Sequence, residues 1–141
     1  MARAELTREW DVSAERLYQL VTQYEAYPEF VDGVQSTTVE RKAPGRARAH
    51  FEVRMIKEVD YTLDLTEVPE RFEVSWVLAE SDFFRKNTGG WKIEPTGRDS
   101  CRATYALDVE FSFPVPGLIL KRLVQGQLPA MMDAFYERLK S

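Results

Sequence analysis

Hydrophobic and polar residues alternate along most of the middle of this chain. Between residues 46 and 55 every second position is apolar, and the positions between them are polar or charged. The same period of two, strong or weak, occurs in residues 3–10, 34–42, 59–67, 72–78, 84–94 and 101–111. This period is typical of strands with one buried and one solvated face. Short turn-rich segments such as Ala43–Gly45 join the strands, so the pattern predicts about seven antiparallel strands.

A helical pattern interrupts the strands near the start of the chain. Ala14, Leu17, Val21 and Tyr24 recur at helical spacing and predict a helix over residues 14–23. Ser13 has the side chain of an N-cap, and Glu15 is favourably placed in the first turn. Because Pro28 disfavours helical geometry at Tyr27, we expect the helix to end or break there. A short second turn then carries Phe30 and Val31.

A second helical pattern closes the chain, from about Pro116 to Lys140. Its apolar stripe is wide, and Pro129 lies inside it, where it cannot bond to the carbonyl of Gln125 and should kink the helix. An antiparallel sheet must cover one face, and this helix is the cover that the chain offers. If the two do not fill the space between them, an apolar molecule can bind there.

Composition and charge narrow the function classes. The 141 residues predict a single domain over 1–141, and 44% hydrophobic with 30% charged residues is ordinary for a globular protein. A net charge of −4 argues against DNA binding. A lone cysteine, Cys101, permits no internal disulfide, and neither a signal peptide nor a membrane-spanning segment is evident. We therefore expect a cytoplasmic protein without stable membrane insertion.

Candidate catalytic groups are few. His50 is the only histidine and lies on the charged face of its strand, and Cys101 has no evident base to activate it. No Cys-x-x-Cys pair or cluster of carboxylates on an apolar face suggests a metal site. The sequence thus predicts no catalytic residue, no metal and no cofactor.

Several short segments resemble those of a known family. Tyr24–Val31 is similar to a Tyr-Pro-x-Phe segment, and Gly89–Pro95 to a Gly-x-Trp-x-Phe-x-Pro strand, while Cys101-Arg102, residues 108–111 and residues 132–135 also fit. In this order they resemble the START-like (SRPBCC) superfamily, in its polyketide cyclase/dehydrase branch with coenzyme-Q-binding and ribosome-association toxin-like proteins. The resemblance implies an α+β helix-grip fold. In that fold a curved antiparallel sheet of about seven strands surrounds a long C-terminal helix, and two short helices follow the first strand.

The function that the resemblance implies is binding, with sequestration or transport, of a hydrophobic small molecule such as a lipid, a quinone or a polyketide-like aromatic. The candidate ligand-binding residues are Tyr27, Phe30, Phe51, Val53, Tyr61, Trp76, Asn87, Trp91, Tyr105, Leu128, Met131, Met132 and Phe135. Asn87 is the sharpest candidate, because an inward amide in an apolar strand requires hydrogen bonds. The alternative for Asn87 is a bulge near Gly89 that turns the amide to solvent.

Two other functions remain open at this point. One is a cyclase or aromatase enzyme, and the other is a module that binds the ribosome or another protein. Met55-Ile56 and Phe83-Phe84 stand at predicted strand ends, where they could gate a cavity, touch a membrane transiently or become buried in a homodimer.

Overall fold

The computed structural model describes residues 2–54 and 57–141, and its main element is one antiparallel sheet. The strands lie in the order β1-β7-β6-β5-β4-β3-β2. Their bounds are β1 Ala2–Trp10, β2 Val34–Ala43, β3 Arg46–Arg54, β4 Glu58–Val68, β5 Glu73–Ser81, β6 Phe84–Gly97 and β7 Ser100–Phe111. Neighbours from β2 to β7 are joined as hairpins, and β1 pairs with β7. The seven predicted strands are confirmed.

The alternation of residues sets which face of the sheet is buried. In β3 the residues from Ala47 to Val53 alternate between buried apolar and more exposed polar positions. Pairing with β4 places Phe51 opposite Tyr61 and Ala49 opposite Leu63, so the apolar residues of adjacent strands share the concave face. Side chains on successive strand positions point to opposite faces, so this register buries one face only.

Two short helices follow β1, as expected. Helix α1 spans Ala14–Val21, and the Ser13 Oγ accepts a hydrogen bond of 3.2 Å from the Arg16 N–H, which confirms the N-cap. A 3₁₀ turn, Tyr24–Ala26, leads into α2, Tyr27–Phe30.

The prediction that Pro28 keeps Tyr27 out of helical geometry is wrong. Tyr27 has helical dihedral angles (φ −54°, ψ −41°), and α1 already ends at Val21. Pro28 lies in the first turn of α2, where its missing N–H has no helical partner to lose. The Tyr27 hydroxyl also donates a hydrogen bond to the Val21 carbonyl, which holds the residue in this conformation.

The closing helix has three parts. These are α3, Gly117–Arg122, a π-helical turn, Leu123–Gln127, and α4, Leu128–Lys140. The Leu128 N–H donates to the Leu123 carbonyl, five residues back, and Pro129 follows directly. Because Pro129 has no N–H to offer the Gln125 carbonyl, the widened turn falls where the α-helical ladder is broken.

Only the second half of the closing helix packs tightly. α4 buries Met132 and Phe135, whereas no residue of 117–127 is buried and Leu118 is 63% exposed. None of the helices in the described ranges is long and apolar enough to cross a bilayer.

Two aromatic segments differ from the expected strand pattern. Phe72 lies in a turn before β5 with φ +53°, and its ring packs against Tyr18 instead of continuing the strand. Phe83 and Phe84 are each only 4% exposed and pack against Phe111, so they are core residues and not free tips. Met55 and Ile56 lie outside the described residues.

Candidate functional site

A cavity of about 220 Å³ lies between the concave face of the sheet and the closing helix. Its apolar wall comes from strands β2 to β7 and from the helices. The residues around it are Val21, Tyr24, Tyr27, Val31, Asp32, Val34, Phe51, Val53, Arg54, Tyr61, Leu63, Leu65, Val74, Trp76, Phe84, Asn87, Trp91, Tyr105, Leu107, Val109, Phe111, Leu123, Gln127, Leu128, Met131 and Phe135. Sites for small apolar molecules have this composition, with a few polar groups in an apolar wall.

Aromatic rings fix the shape of the cavity. Phe135 of α4 meets Tyr27 edge to face with ring centroids 5.3 Å apart, and meets Trp91 at 5.0 Å. On the opposite side Phe51 stacks on Tyr61 at 5.5 Å. Aromatic pairs at these distances stabilise one another, so packed rings form the wall on both sides.

Asn87 is the one polar residue that is buried among the described residues, with 5% of its surface exposed. Its Oδ1 accepts a hydrogen bond of 3.1 Å from the Trp76 Nε1–H. The expectation that Asn87 faces inward is thereby confirmed, and the alternative, a bulge that exposes it, is wrong. The register shifts of β6 lie elsewhere, between Phe84 and Lys86 and between Pro95 and Gly97.

Gly89 makes this contact possible. A Cβ at Gly89 would clash with the Ala106 carbonyl oxygen and lie 2.8 Å from the Trp76 ring. The indole therefore lies against bare backbone, two residues from Asn87 along β6. Gly89 lets the neighbouring backbone and the Trp76 ring approach closely, and it does not turn Asn87 outward.

Four tyrosines border the cavity, and burial raises the pKa of each. Desolvation is the first cause for Tyr24, Tyr27, Tyr61 and Tyr105. For Tyr24 a second cause is its hydrogen bond of 2.6 Å to Glu67 Oε2, which also pairs with Arg41. Tyr61 and Tyr105 are half-buried and border the cavity. All four are neutral phenols at neutral pH.

Among residues 2–54 and 57–141, the charged groups that border the cavity stand at its rim. Asp32 and Arg54 are both exposed. Asp32 lies just before β2 and Arg54 ends β3, and a hydrogen bond from the Arg54 N–H to the Gly33 carbonyl joins these two segments. Gln127 of the π turn is also exposed and borders the cavity. The mouth therefore lies between this loop and the loosely packed half of the closing helix.

Most of the predicted ligand-binding residues lie around this cavity. The exceptions are Phe30, which packs on Phe135 at 4.9 Å beneath the Arg138 guanidinium, and Met132, which is fully buried elsewhere in the core. Tyr24, Phe84 and Leu107 also border the cavity but are absent from the predicted ligand-binding residues, although Leu107 lies on the inward face of its strand. Tyr24 continues the apolar stripe of α1, and that continuation was the available signal.

The groups considered for catalysis lie away from the cavity. The His50 Nδ1 is 2.9 Å from the Thr62 hydroxyl on the outer face of the sheet. Cys101 is fully buried, and burial raises the pKa of its thiol, which disfavours the reactive thiolate. No group of three or more metal-ligating side chains is assembled among residues 2–54 and 57–141.

Comparison with known proteins agrees with this geometry. The model of the family described as "Polyketide cyclase / dehydrase and lipid transport" matches residues 10–136. Among curated proteins, the chain is 29% identical to the persistence and stress-resistance toxin PasT of Escherichia coli O6:H1, over 91% of this chain and 80% of that protein. It is 28% identical, with the same coverage, to the ribosome association toxin RatA of Escherichia coli K12.

Solved structures share the fold across the whole chain. A START superfamily protein from Mycobacterium smegmatis has a TM-score of 0.88 and 26% identity, covering 99% of this chain and 98% of that one. The Zhui aromatase/cyclase from Streptomyces sp. R1128 has a TM-score of 0.87 with 11% identity, covering 98% and 93%. The helix-grip fold of the START superfamily is thus confirmed for this chain.

Proposed function

This chain belongs to the polyketide cyclase/dehydrase and lipid transport family, and on that premise we propose that it binds and sequesters or transports a hydrophobic small molecule. The observation that carries the proposal is the cavity of about 220 Å³ between sheet and closing helix. An engineered apolar cavity of about 150 Å³ holds benzene, so this one admits one or two rings. A longer guest, such as a quinone with a tail, would extend through the mouth.

Binding is favoured over catalysis by the chemistry of the wall. The titratable side chains that border the cavity inside its mouth are tyrosines, and burial keeps them protonated. A general base or nucleophile needs a pKa near the working pH. A cyclase of this kind would have to work by holding and orienting a reactive chain, because the described residues place no ionised proton acceptor on the wall inside the mouth.

Native mass spectrometry on the purified protein tests the proposal, followed by titration with apolar aromatic probes. We expect a bound mass that denaturation releases, or saturable probe binding. Leu107→Trp fills the cavity from β7 and should abolish binding. Val77→Trp adds the same ring at an exposed position of β5 and should leave binding intact. Equal binding by both variants would refute the proposal.

Association with the ribosome is a second candidate, and its support is the 28% identity to the ribosome association toxin RatA. Co-sedimentation with ribosomes at low and high salt tests it. The Leu107→Trp variant separates the two functions. Ribosome binding without a guest should survive this change, since the new ring points away from the protein surface.

A further inference from the structure

We propose that β1 is a self-association surface, through which two copies of this chain pair antiparallel about a two-fold axis at Leu6. The inference goes beyond the proposed function and does not depend on the cavity. It starts from a difference between the two edges of the sheet.

The edge at β2 is protected against pairing. The 3₁₀ turn Tyr24–Ala26 and α2 pack against this strand. Its register with β3 is interrupted twice, between Val34 and Ser36 and between Arg41 and Ala43. Covering elements and bulges are two of the means by which proteins keep a sheet edge from pairing with another chain.

The edge at β1 has neither protection. All nine residues of this strand, Ala2–Trp10, pair with β7 in one unbroken register. Within residues 2–54 and 57–141, no backbone group outside β7 bonds to β1, and the Arg8 guanidinium reaches the Thr7 carbonyl at 3.4 Å. Alternate residues of an edge strand point their N–H and C=O groups away from the paired neighbour. β1 therefore presents a row of free donors and acceptors to another strand.

The charges along β1 fit a second copy of the same strand. On the solvated face its exposed side chains are, in order, Arg3, Glu5, Thr7 and Glu9. When two copies pair about Leu6, Arg3 of each lies directly opposite Glu9 of the other, and opposite charges in this position are stabilising. Arg3 makes no ion pair within the described part of the chain, and Glu9 meets Arg102 through only one of its carboxylate oxygens, at 3.2 Å.

Other registers are less favourable. A shift of two residues puts Glu5 opposite Glu5 of the second copy in one direction, and opposite Glu9 in the other. A shift of one residue turns the solvated face of one copy toward the buried face of the other. The register about Leu6 overlaps the whole strand, joins opposite charges and sets no like charges against each other.

The inward face fits the same register. Leu6 is half-buried in the single chain and meets Leu6 of the second copy. Arg8 is an inward charge, which disfavours most strand pairings, but here it meets Ala4 of the second copy, whose small side chain leaves room for it. A contact along one nine-residue strand is small, so the dimer should be weak and depend on protein concentration.

Sedimentation velocity over a wide range of protein concentration tests the pairing, and the wild-type protein should pass from monomer to dimer. Arg3→Glu opposes two carboxylates on each side of the axis, and Glu9→Arg opposes two guanidiniums. Each variant alone should dimerise about tenfold or more weakly than the wild type. Arg46→Glu makes the same charge change at an exposed position of β3 and should leave dimerisation unchanged.

A mixture of the two β1 variants gives the sharpest result. When Arg3→Glu meets Glu9→Arg, every carboxylate again faces a guanidinium, so the mixed dimer should form with about the affinity of the wild type. Native mass spectrometry with one variant isotope-labelled distinguishes the mixed dimer from dimers of either variant. Circular dichroism of each variant shows that the loss of dimer is not a loss of fold.

Hydrogen exchange locates the contact. Amides at alternate positions of β1 should exchange more slowly at high protein concentration, while those of β2 should not change. A protein that stays monomeric at every concentration would overturn the inference, and so would a dimer that both charge variants leave intact or a mixture that does not associate. Protection of β2 instead of β1 would also overturn it. None of these results bears on binding in the cavity, which is tested separately.

Discussion

At the scale of single residues, Gly89, Trp76 and Asn87 form one unit in which each depends on the others. The indole can reach the Asn87 oxygen because Gly89 leaves room for the ring beside it. Asn87 in turn is tolerated in an apolar wall because the indole satisfies its oxygen. A substitution at Gly89 should therefore displace the Trp76 ring and disturb its hydrogen bond to Asn87 in the site.

Gly89→Ala is expected to destabilise the protein by about 1–3 kcal/mol, because the added methyl group collides with backbone and with the Trp76 ring. Urea denaturation measures this cost. Gly126→Ala is the matched control, since a Cβ there meets no atom within 4 Å. Equal unfolding midpoints for the two variants would contradict the close approach described here.

A second residue-scale prediction concerns Tyr24. Its hydroxyl donates to Glu67, and Tyr24→Phe should cost about 1 kcal/mol in the free energy of unfolding while Glu67 keeps its pairing with Arg41. Tyr136→Phe removes a comparable bond to Asp11 at the surface, where water replaces it, and should cost less. The comparison fails if the surface variant is the less stable of the two.

At the scale of elements, the two halves of the closing helix have different roles. α4 anchors the helix through Met132 and Phe135, while α3 and the π turn cover the mouth without a buried residue. Few buried contacts mean a low free energy of local opening. This half is therefore the element through which a guest would enter.

Hydrogen exchange tests this division. Amides of residues 117–127 should exchange faster than those of residues 130–138, by at least about tenfold in protection, because local opening of the first half breaks little packing. Adding an apolar aromatic probe that the protein binds should slow exchange in the first half more than in the second. Uniform protection along the whole helix would show that the mouth is not a separate opening unit.

The elements that the sequence predicts well are those whose pattern matches their burial. The alternation in β3 and β7 and the Ser13 cap of α1 are local signals, and each is sufficient to predict its element. The π turn was not predictable, because Pro129 indicates only that the ladder breaks, and packing decides whether the result is a kink or a widened turn. Likewise Phe83 and Phe84 stand at a strand end in the sequence, but Phe111 and Phe113 cover Phe83 in space.

For the candidate site, the sequence predicts which face of each strand points inward, but not which inward residues border the cavity. Residues on the inward phase of β3 to β7 mostly border the cavity, because a strand period of two assigns the face directly. Phe30 and Met132 show the limit, since inward residues also fill the solid part of the core. Which inward residues meet empty space depends on how far the helix stands from the sheet, and no local pattern encodes that distance.

At the scale of the whole molecule, its tyrosines couple the cavity to stability. The chain has six, and the pKa of every one is raised, by burial first for all except Tyr136, whose first cause is its bond to Asp11. Burial raises the pKa of Tyr18 to about 12. In the unfolded chain these groups would titrate near 10. The folded state therefore holds its tyrosine protons more tightly than the unfolded state does.

The sign of the resulting pH dependence follows from this difference. Because the pKa of a buried tyrosine is raised in the folded state, the free energy of unfolding is unaffected by that tyrosine below pH 10. Above pH 10 the free energy of unfolding falls by up to about 1.4 kcal/mol per pH unit for each buried tyrosine. We expect the tyrosinate absorbance of the five buried tyrosines to rise in one cooperative step at alkaline pH, together with loss of far-ultraviolet circular dichroism, while the exposed Tyr136 can ionise separately. In denaturant the same absorbance should rise gradually around pH 10. Tyr61→Phe and Tyr105→Phe should each move the alkaline unfolding step to higher pH. If the other five tyrosines of the native protein instead titrate gradually near pH 10 with circular dichroism unchanged, their hydroxyls are in contact with bulk water, and the buried wall on which the binding function rests does not exist.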